Sequence, residues 1–185
     1  MDPKDTLREE HGTIMKMLAV LQKFFANSMD LKDGQVKDLE TIIEFFEIYV
    51  DRYHHGKEEH HLFPALSLAR IPNIDPLIKS LVEDHYQARK EMEQMKSHAV
   101  AIHPYSGGDW NEFTEAAQRY IELVRKHIRK ENSELLPLIE ERLSDVEKLQ
   151  MGEQFLDLEE AILGLSRLQT FLASVRTLYE KYSLQ

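Results

Sequence analysis

HHGKEEHHLFP, residues 54–64, and HIRKENSELLP, residues 127–137, decide the fold when they are aligned with each other. Both follow the pattern H-x3-E-x3-L-[FL]-P, with an interval of 10 from the histidine to the proline. An earlier histidine precedes each copy at a matching interval, His11 by 43 positions and His85 by 42. The chain therefore consists of two predicted helical hairpins, each supplying one histidine and one HxxxE motif.

Between the motifs, apolar residues recur at steps of three and four, which is the period of an amphipathic α-helix. Glycine and proline cluster at predicted joints over residues 29–34, 69–76, 103–109 and 142–152. Four long helices with short connections favour an all-α, up-down-up-down four-helix bundle. A further amphipathic segment follows. We expect residues 1–145 to form the bundle and residues 146–185 to form a C-terminal helical extension. The extension would be one additional helix, packed on the bundle or forming a dimer seam.

The apolar stripes of the first four helices are interrupted by polar residues. Each stripe carries a histidine where an apolar side chain belongs: His11, His54, His85 and His127. Glu58 and Glu131 lie one turn further along the second and fourth stripes. Burying a carboxylate without a partner costs several kcal/mol or more. No lysine lies on these stripes, and Arg89 is the one nearby basic candidate.

A pair of metal ions would neutralise both glutamates. Histidine and glutamate at i and i+4 project from one helix face, and four imidazoles with two carboxylates suit two iron, manganese or zinc ions. Positions would remain open for hydroxide, dioxygen or peroxide. A single HxxxE is more often an exposed ion pair, and a single inward histidine is usually satisfied in the core. The duplication in register favours the dinuclear centre.

The same register selects His54 over His55, because His55 lies one position too close to the proline. By the α-helical period His55, Glu59 and His60 point to solvent, as does His61 unless it serves as a spare ligand. Tyr120 is expected to be a core tyrosine, with donation to a bound oxygen species as the alternative. The prolines that end both repeats should kink or loosen their helices just beyond the site.

Composition excludes several other classes of protein. The 185 residues include 23 Lys and Arg against 33 Asp and Glu, for a net charge of −10. The chain contains no block of basic residues that would suggest nucleic acid binding. No apolar run approaches the length of a membrane span. The absence of cysteine removes disulfides and thiolate sites. With no secretory signal in evidence at the N-terminus, we expect a cytoplasmic protein.

The segments EEHGTIMKML, YHHGKEEHHLFPAL, LVEDHYQARKEM and VRKHIRKENSELLPLIEERL resemble the four helices of the hemerythrin-like, HHE cation-binding domains. The resemblance covers about residues 5–142. It implies a bundle with a non-haem centre of two iron ions, oxo- or hydroxo-bridged, with manganese or zinc also possible. The implied ligands are His11, His54, Glu58, His85, His127 and Glu131, with the two glutamates bridging.

Two departures separate the chain from the oxygen-carrying members. They have a second histidine one turn after the third-helix histidine, where this chain has Arg89, and they end with H-x4-D rather than His127-x3-Glu131. One ion would therefore lack a nitrogen ligand. Arg89 could hold a bridging carboxylate or a bound peroxide, or form a salt bridge to Glu58 or Glu131.

These departures disfavour a reversible oxygen carrier. They favour the wider HHE group, which resembles sensors, iron-handling proteins and peroxide-decomposing enzymes. By this resemblance we expect a protein that reacts with or senses dioxygen or peroxide. The alternatives are an iron-binding or buffering module without turnover, a peroxide-decomposing oxidoreductase, and a structural bundle with zinc or no metal. The expected partner is dioxygen or peroxide as a small ligand, without nucleic acid or membrane, in a possible homodimer.

Overall fold

The computed structural model describes residues 2–26, 33–101 and 110–183, and in these ranges the chain forms six helices and no strand. They are α1 (Pro3–Ala26), α2 (33–68), α3 (Ile74–Ala101), α4 (110–142), α5 (Asp145–Ile162) and α6 (Gly164–Ser183). The predicted all-α class is confirmed. The joint predicted at 103–109, and residues 29–32 of the first joint, lie outside the described residues.

Two of the helices change their winding along their length. α2 is α-helical over Asp33–Glu44, π-helical over Phe45–His55 and Glu58–Leu62, and α-helical again over Phe63–Leu68. α4 is α-helical over Trp110–Lys130, π-helical over Glu131–Leu135, and α-helical over Leu136–Arg142. In a π-helix the backbone bonds join residues five apart, so each turn is wider and successive side chains are separated by a smaller angle.

The short π-helical segments of α2 and α4 occupy the same place in the repeat. Each begins at the glutamate and ends at the leucine two positions before the proline, and its closing bond joins residues five apart, Phe63 N–H to the Glu58 carbonyl and Leu136 N–H to the Glu131 carbonyl. A proline has no N–H for the carbonyl four residues earlier and its ring crowds that carbonyl. The wider turn accommodates both effects, so the loosening expected at the prolines takes the form of a π-turn.

The polar residues of the stripes form a layer between two apolar clusters. One cluster, here the near cluster, includes Leu7, Leu62, Leu81 and Leu135. The other, the far cluster, includes Leu18, Val50, Met92 and Val124. By the order of these residues, α1 and α3 run from the near to the far cluster, and α2 and α4 run back. This is the up-down-up-down arrangement, and it brings all four stripe histidines to one level.

The C-terminal segment forms two helices rather than the single helix expected. A break follows Leu163, where Gly164 adopts a left-handed φ of 61° that suits glycine. α5 begins with a capping box of Ser144 and Glu147. It packs against α2, while α6 packs along α1. Leu165, directly after the break, is exposed.

A role of this extension as a dimer seam stays a prediction. The domain boundary near residue 145 also stays a prediction. Among the described helices, none has the length and apolar character needed to cross a lipid bilayer.

Candidate metal centre

The six predicted ligands meet in the layer between the two apolar clusters. Their side chains are all buried and form two overlapping groups: His11, His54, Glu58 and Glu131, and Glu58, His85, His127 and Glu131. Within each group one donor atom from every residue lies within 4.8 Å of the others. Because both groups share the two glutamates, the geometry offers two neighbouring cation positions.

Each glutamate faces both positions with a different oxygen. Glu58 places Oε1 3.7 Å from Nε2 of His54 and Oε2 3.3 Å from Nε2 of His85. Glu131 places Oε2 3.1 Å from Nε2 of His11 and Oε1 3.2 Å from Nε2 of His127. This is the arrangement that a bridging carboxylate requires.

The carboxylate oxygens and Nε2 atoms of the layer lie close together, but most of them make no hydrogen bond. Both oxygens of Glu58 and of Glu131, and Nε2 of His11 and His54, are buried with no hydrogen-bond partner among the described residues. A metal bound at about 2.0–2.2 Å separates neighbouring ligand atoms by about 3.0–3.5 Å. Three of the four distances above fall in this range, and the fourth, from Glu58 Oε1 to His54 Nε2, is slightly longer at 3.7 Å. The orphaned atoms and their spacing therefore fit a pair of metal ions.

Three of the four stripe histidines are oriented through their other ring nitrogen. Nδ1 lies within hydrogen-bond distance of an oxygen of Asn132 for His11 (3.0 Å), Glu10 for His54 (2.8 Å) and Glu59 for His85 (2.7 Å). Nδ1 of His127 lies 3.5 Å from Asp84 Oδ2 and makes no hydrogen bond within the described residues. An Nδ1–H directed at such an acceptor fixes the tautomer and leaves the Nε2 lone pair for a cation. The rings are thus oriented so that, once Nε2 is free of its proton, they could bind a metal.

Cations in turn hold three of these carboxylates. Lys57 binds Glu10, Arg89 binds Glu59 and Lys130 binds Asp84. Lys57 is itself buried, and its ammonium lies 3.7 Å from the centroid of the Tyr53 ring. As the sequence predicted, the stripes carry no lysine. Lys57, however, is buried on the adjacent helix face and supports the site from there.

Arg89 has a different partner from those predicted. Its Nε donates to Asp51 Oδ1 at 2.6 Å and its Nη2 donates to Glu59 Oε1 at 2.7 Å. The salt bridge to Glu58 or Glu131, one of the roles considered for Arg89 from the sequence, is therefore not formed. Arg89 supports His85 indirectly, by holding the carboxylate that accepts from its ring.

The prediction that His55 is solvated is also wrong. His55 is 2% exposed, and its ring stacks on that of His85 with centroids 3.8 Å apart. It forms a third close group with His85 and His127. The α-helical period failed here because α2 is π-helical up to this residue, which turns two successive side chains inward. His60 is exposed as predicted, and His61 is half-buried beside Phe155.

Charges within the layer compensate one another in the absence of metal. Burial is the largest influence on the pKa of His127 and disfavours its charged form, yet Glu131 and Asp84 outweigh it and raise that pKa to about 10. Burial likewise opposes ionisation of Glu131, but His127 and His11 hold the pKa of this carboxyl well below its usual range. Protons on the imidazoles thus occupy the role that a metal cation would take.

A cavity of about 230 Å³ opens between α2 and α3 and reaches the layer at His55. Arg89 and Asp51 line its polar side, and Tyr120 lines its apolar side. Tyr120 is a core residue as predicted, with its ring 5.0 Å from that of Phe46. The cavity can hold small molecules beside the layer.

Seven residues that support or extend the six were missed from the sequence. They are Glu10, Asp51, His55, Lys57, Glu59, Asp84 and Asn132. The sequence did contain a signal for Glu10, because it adjoins His11. Burying a carboxylate there costs several kcal/mol unless it has a partner. The others project from faces that the α-helical period assigns to solvent or leaves unassigned.

The comparisons with known proteins agree with this geometry. The family model for the hemerythrin HHE cation binding domain matches residues 2–139. The chain is also 21% identical over 174 residues to uncharacterized proteins of Mycobacterium tuberculosis and Mycobacterium bovis, covering 94% of this chain and 67% of each relative. No solved structure matches significantly. The resemblance seen in the sequence is confirmed: the chain belongs to the hemerythrin HHE cation-binding family, and its bundle is a metal-binding module.

Proposed function

We propose that the protein binds two iron ions in the layer and reacts with or senses dioxygen or peroxide. The ligands would be His11, His54, Glu58, His85, His127 and Glu131. The observation that carries the proposal is the set of buried, unbonded carboxylate oxygens on Glu58 and Glu131. Burying a carboxylate without a partner is costly. Without metal, protons on the neighbouring histidines offset that cost, and two cations held by the six side chains would offset it in their place.

The donor set favours iron over magnesium or calcium, because imidazole suits transition metals. Manganese and zinc share this preference and remain alternatives. When bound, a pair of iron ions supplies redox chemistry and open coordination positions for an oxygen ligand. The protein's own contribution is to hold the six side chains in place, fix the histidine tautomers and exclude bulk water from the layer.

A second candidate function is peroxide decomposition, and the cavity at His55 favours it. Arg89 and the hydroxyl of Tyr120 line this cavity and could donate hydrogen bonds to a small oxygen species, and its volume of about 230 Å³ exceeds that of hydrogen peroxide. In such a reaction two molecules of hydrogen peroxide become two of water and one of dioxygen. The remaining alternative is iron buffering, in which the ions bind without turnover.

One experiment separates these functions. The protein is purified anaerobically and loaded with iron(II), and the metal content per chain is measured. Dioxygen and hydrogen peroxide are then added separately while the visible spectrum and gas evolution are recorded. Fewer than one tightly bound ion per chain would refute the dinuclear centre. Two ions without response to either oxidant would favour buffering, and rapid release of dioxygen from peroxide would favour the enzyme.

A further inference from the structure

His55 is a buried side chain at the metal layer that the HxxxE repeat does not use. Its ring lies against His85 and at 5.7 Å between centroids from His127. One ring nitrogen of His55 belongs to the close group of donor atoms formed with these two histidines. This group shares His85 and His127 with one of the two groups that contain the glutamates, so His55 lies beside that cation position and not beside the other.

The orientation of His55 follows the rule seen for three of the other histidines of the layer. Its Nδ1 lies 3.4 Å from Asp51 Oδ1, and the same oxygen accepts from Arg89 at 2.6 Å. A carboxylate held by a cation thus faces Nδ1, as Glu10 with Lys57 does for His54. With Nδ1 directed at Asp51, the Nε2 lone pair is available to a metal.

The winding of α2 explains how two successive histidines face inward. The π-helical segment Phe45–His55 ends at this residue, and its smaller angle per residue keeps His54 and His55 on neighbouring inward faces. α4 is α-helical through His127, and the following residue there is Ile128, a member of the far cluster. The second hairpin therefore has no counterpart of His55.

We propose that His55 is a ligand of the metal ion held by His85 and His127, so that this ion takes three imidazoles and its neighbour takes two. The proposal rests on the dinuclear centre proposed above. It also explains Arg89, which stands one turn after His85 and points outward to Asp51 and Glu59. The nitrogen that α3 does not supply at position 89 comes instead from α2.

The test replaces His55 with leucine, which is similar in size and apolar but cannot bind metal. His60→Leu is the matched control, since His60 is exposed on the same helix. Both variants and the wild type are loaded anaerobically with ⁵⁷Fe(II). Iron content, Mössbauer spectra and the rate of iron release to a chelator are measured, and far-UV circular dichroism of the metal-free proteins checks the fold.

The expected result is selective. In His55→Leu one of the two ions is absent or is released at least about tenfold faster, one Mössbauer doublet changes, and the other ion behaves as in wild type and in His60→Leu. Adding Arg89→His to His55→Leu should restore slow release by returning a nitrogen from α3.

Two outcomes would overturn the assignment: unchanged release and spectra in His55→Leu, or equal acceleration for both ions. If the variant does not keep the helical content of the wild type, Asp51→Leu decides instead. It leaves the His55 ring in place but removes its orienting oxygen, and unchanged release would again overturn the proposal. If wild type itself binds fewer than two ions, the dinuclear centre fails before His55 is tested.

Discussion

The hairpin of α1 and α2 and the hairpin of α3 and α4 each supply two histidines and one glutamate to the layer, but their helices are wound differently. Both have a π-turn from the glutamate to the leucine of the repeat. Only the first has a second π-helical segment upstream, over Phe45–His55, among the described residues. The shared turn positions a symmetric pair of HxxxE motifs, and the extra segment adds His55 and breaks the symmetry.

The supports of the two hairpins also differ. In the first hairpin, Glu10 and Lys57 form a buried ion pair behind His54. In the second, Asp84 and Lys130 form a partly exposed pair beside His127. A duplicated motif thus sets where the six candidate ligands lie, while the surroundings of each copy set how firmly their side chains are held.

The largest expected effect comes from the residues in which the hairpins are most alike. Replacing Glu58 or Glu131 with alanine should abolish binding of the second ion, because each carboxylate faces both cation positions. Iron content per chain after anaerobic loading measures this. Glu134→Ala is the control, since Glu134 is exposed on the same helix as Glu131. Two ions retained in either glutamate variant would contradict the bridging geometry.

The second-largest effect should distinguish the two hairpins by the stability that each supporting ion pair contributes. Lys57→Ala leaves the Glu10 carboxylate buried without its cation, which should lower the free energy of unfolding by about 3–5 kcal/mol. Lys130→Ala should cost about 1 kcal/mol, since water can reach Asp84. Urea denaturation of the metal-free proteins measures both losses. Equal losses would show that the two pairs are equivalent, against the difference in burial.

A dependence on pH should follow from the proton on His127. A folded pKa of about 10 against an ordinary value of 6.5 means that this group stabilises the metal-free protein fully below pH 6.5, and that this contribution is lost as pH rises towards 10. A metal must displace the same proton. Apparent zinc affinity should therefore rise about tenfold per pH unit from pH 6.5 to 8.5.

Competition titrations with a chelator of known pH dependence measure that affinity, with the urea midpoint of the metal-free protein as a second readout. The midpoint should fall over the range in which affinity rises. An affinity that is constant with pH would show that His127 is already neutral before the metal binds.

The smallest effect should come from an exposed support that crosses between the hairpins. His11 belongs to the first hairpin, but its Nδ1 faces Asn132 of the second. Asn132→Ala should lower metal affinity about tenfold, the lower end for loss of a partner that orients a ligand, because water can take the place of the exposed amide. Ser133→Ala, at the neighbouring exposed position, should leave affinity unchanged. Equal affinities in both variants would remove Asn132 from the site.

The sequence was sufficient to predict the bundle and the six residues that converge in its core. Helical periodicity identifies the stripes, and His127 with Glu131 repeats the spacing of His54 with Glu58. A buried polar residue on an apolar stripe is informative because its burial needs a partner. These signals are local and repeated, so one sequence contains them twice.

The remaining parts of the site depend on features that periodicity does not contain. His55 was assigned to solvent because an α-helical period was applied to a segment that is π-helical. Lys57 and Glu10 pair over 47 positions of sequence, and α5 covers them, with Phe155 5.4 Å from the Lys57 ammonium. Gly164 breaks the extension into two helices, which the continuous apolar stripe across it concealed.

The polar layer between the near and far clusters has a consequence for how the chain opens. Each cluster contains residues from all four helices of the bundle, so each end of the bundle has a core of its own. Without metal, protonated imidazoles and carboxylates join the two across the layer. Two bound ions would tie the same helices together at six points. A loaded centre should therefore merge two opening units into one, so that amides at both ends of the bundle exchange with solvent together rather than separately.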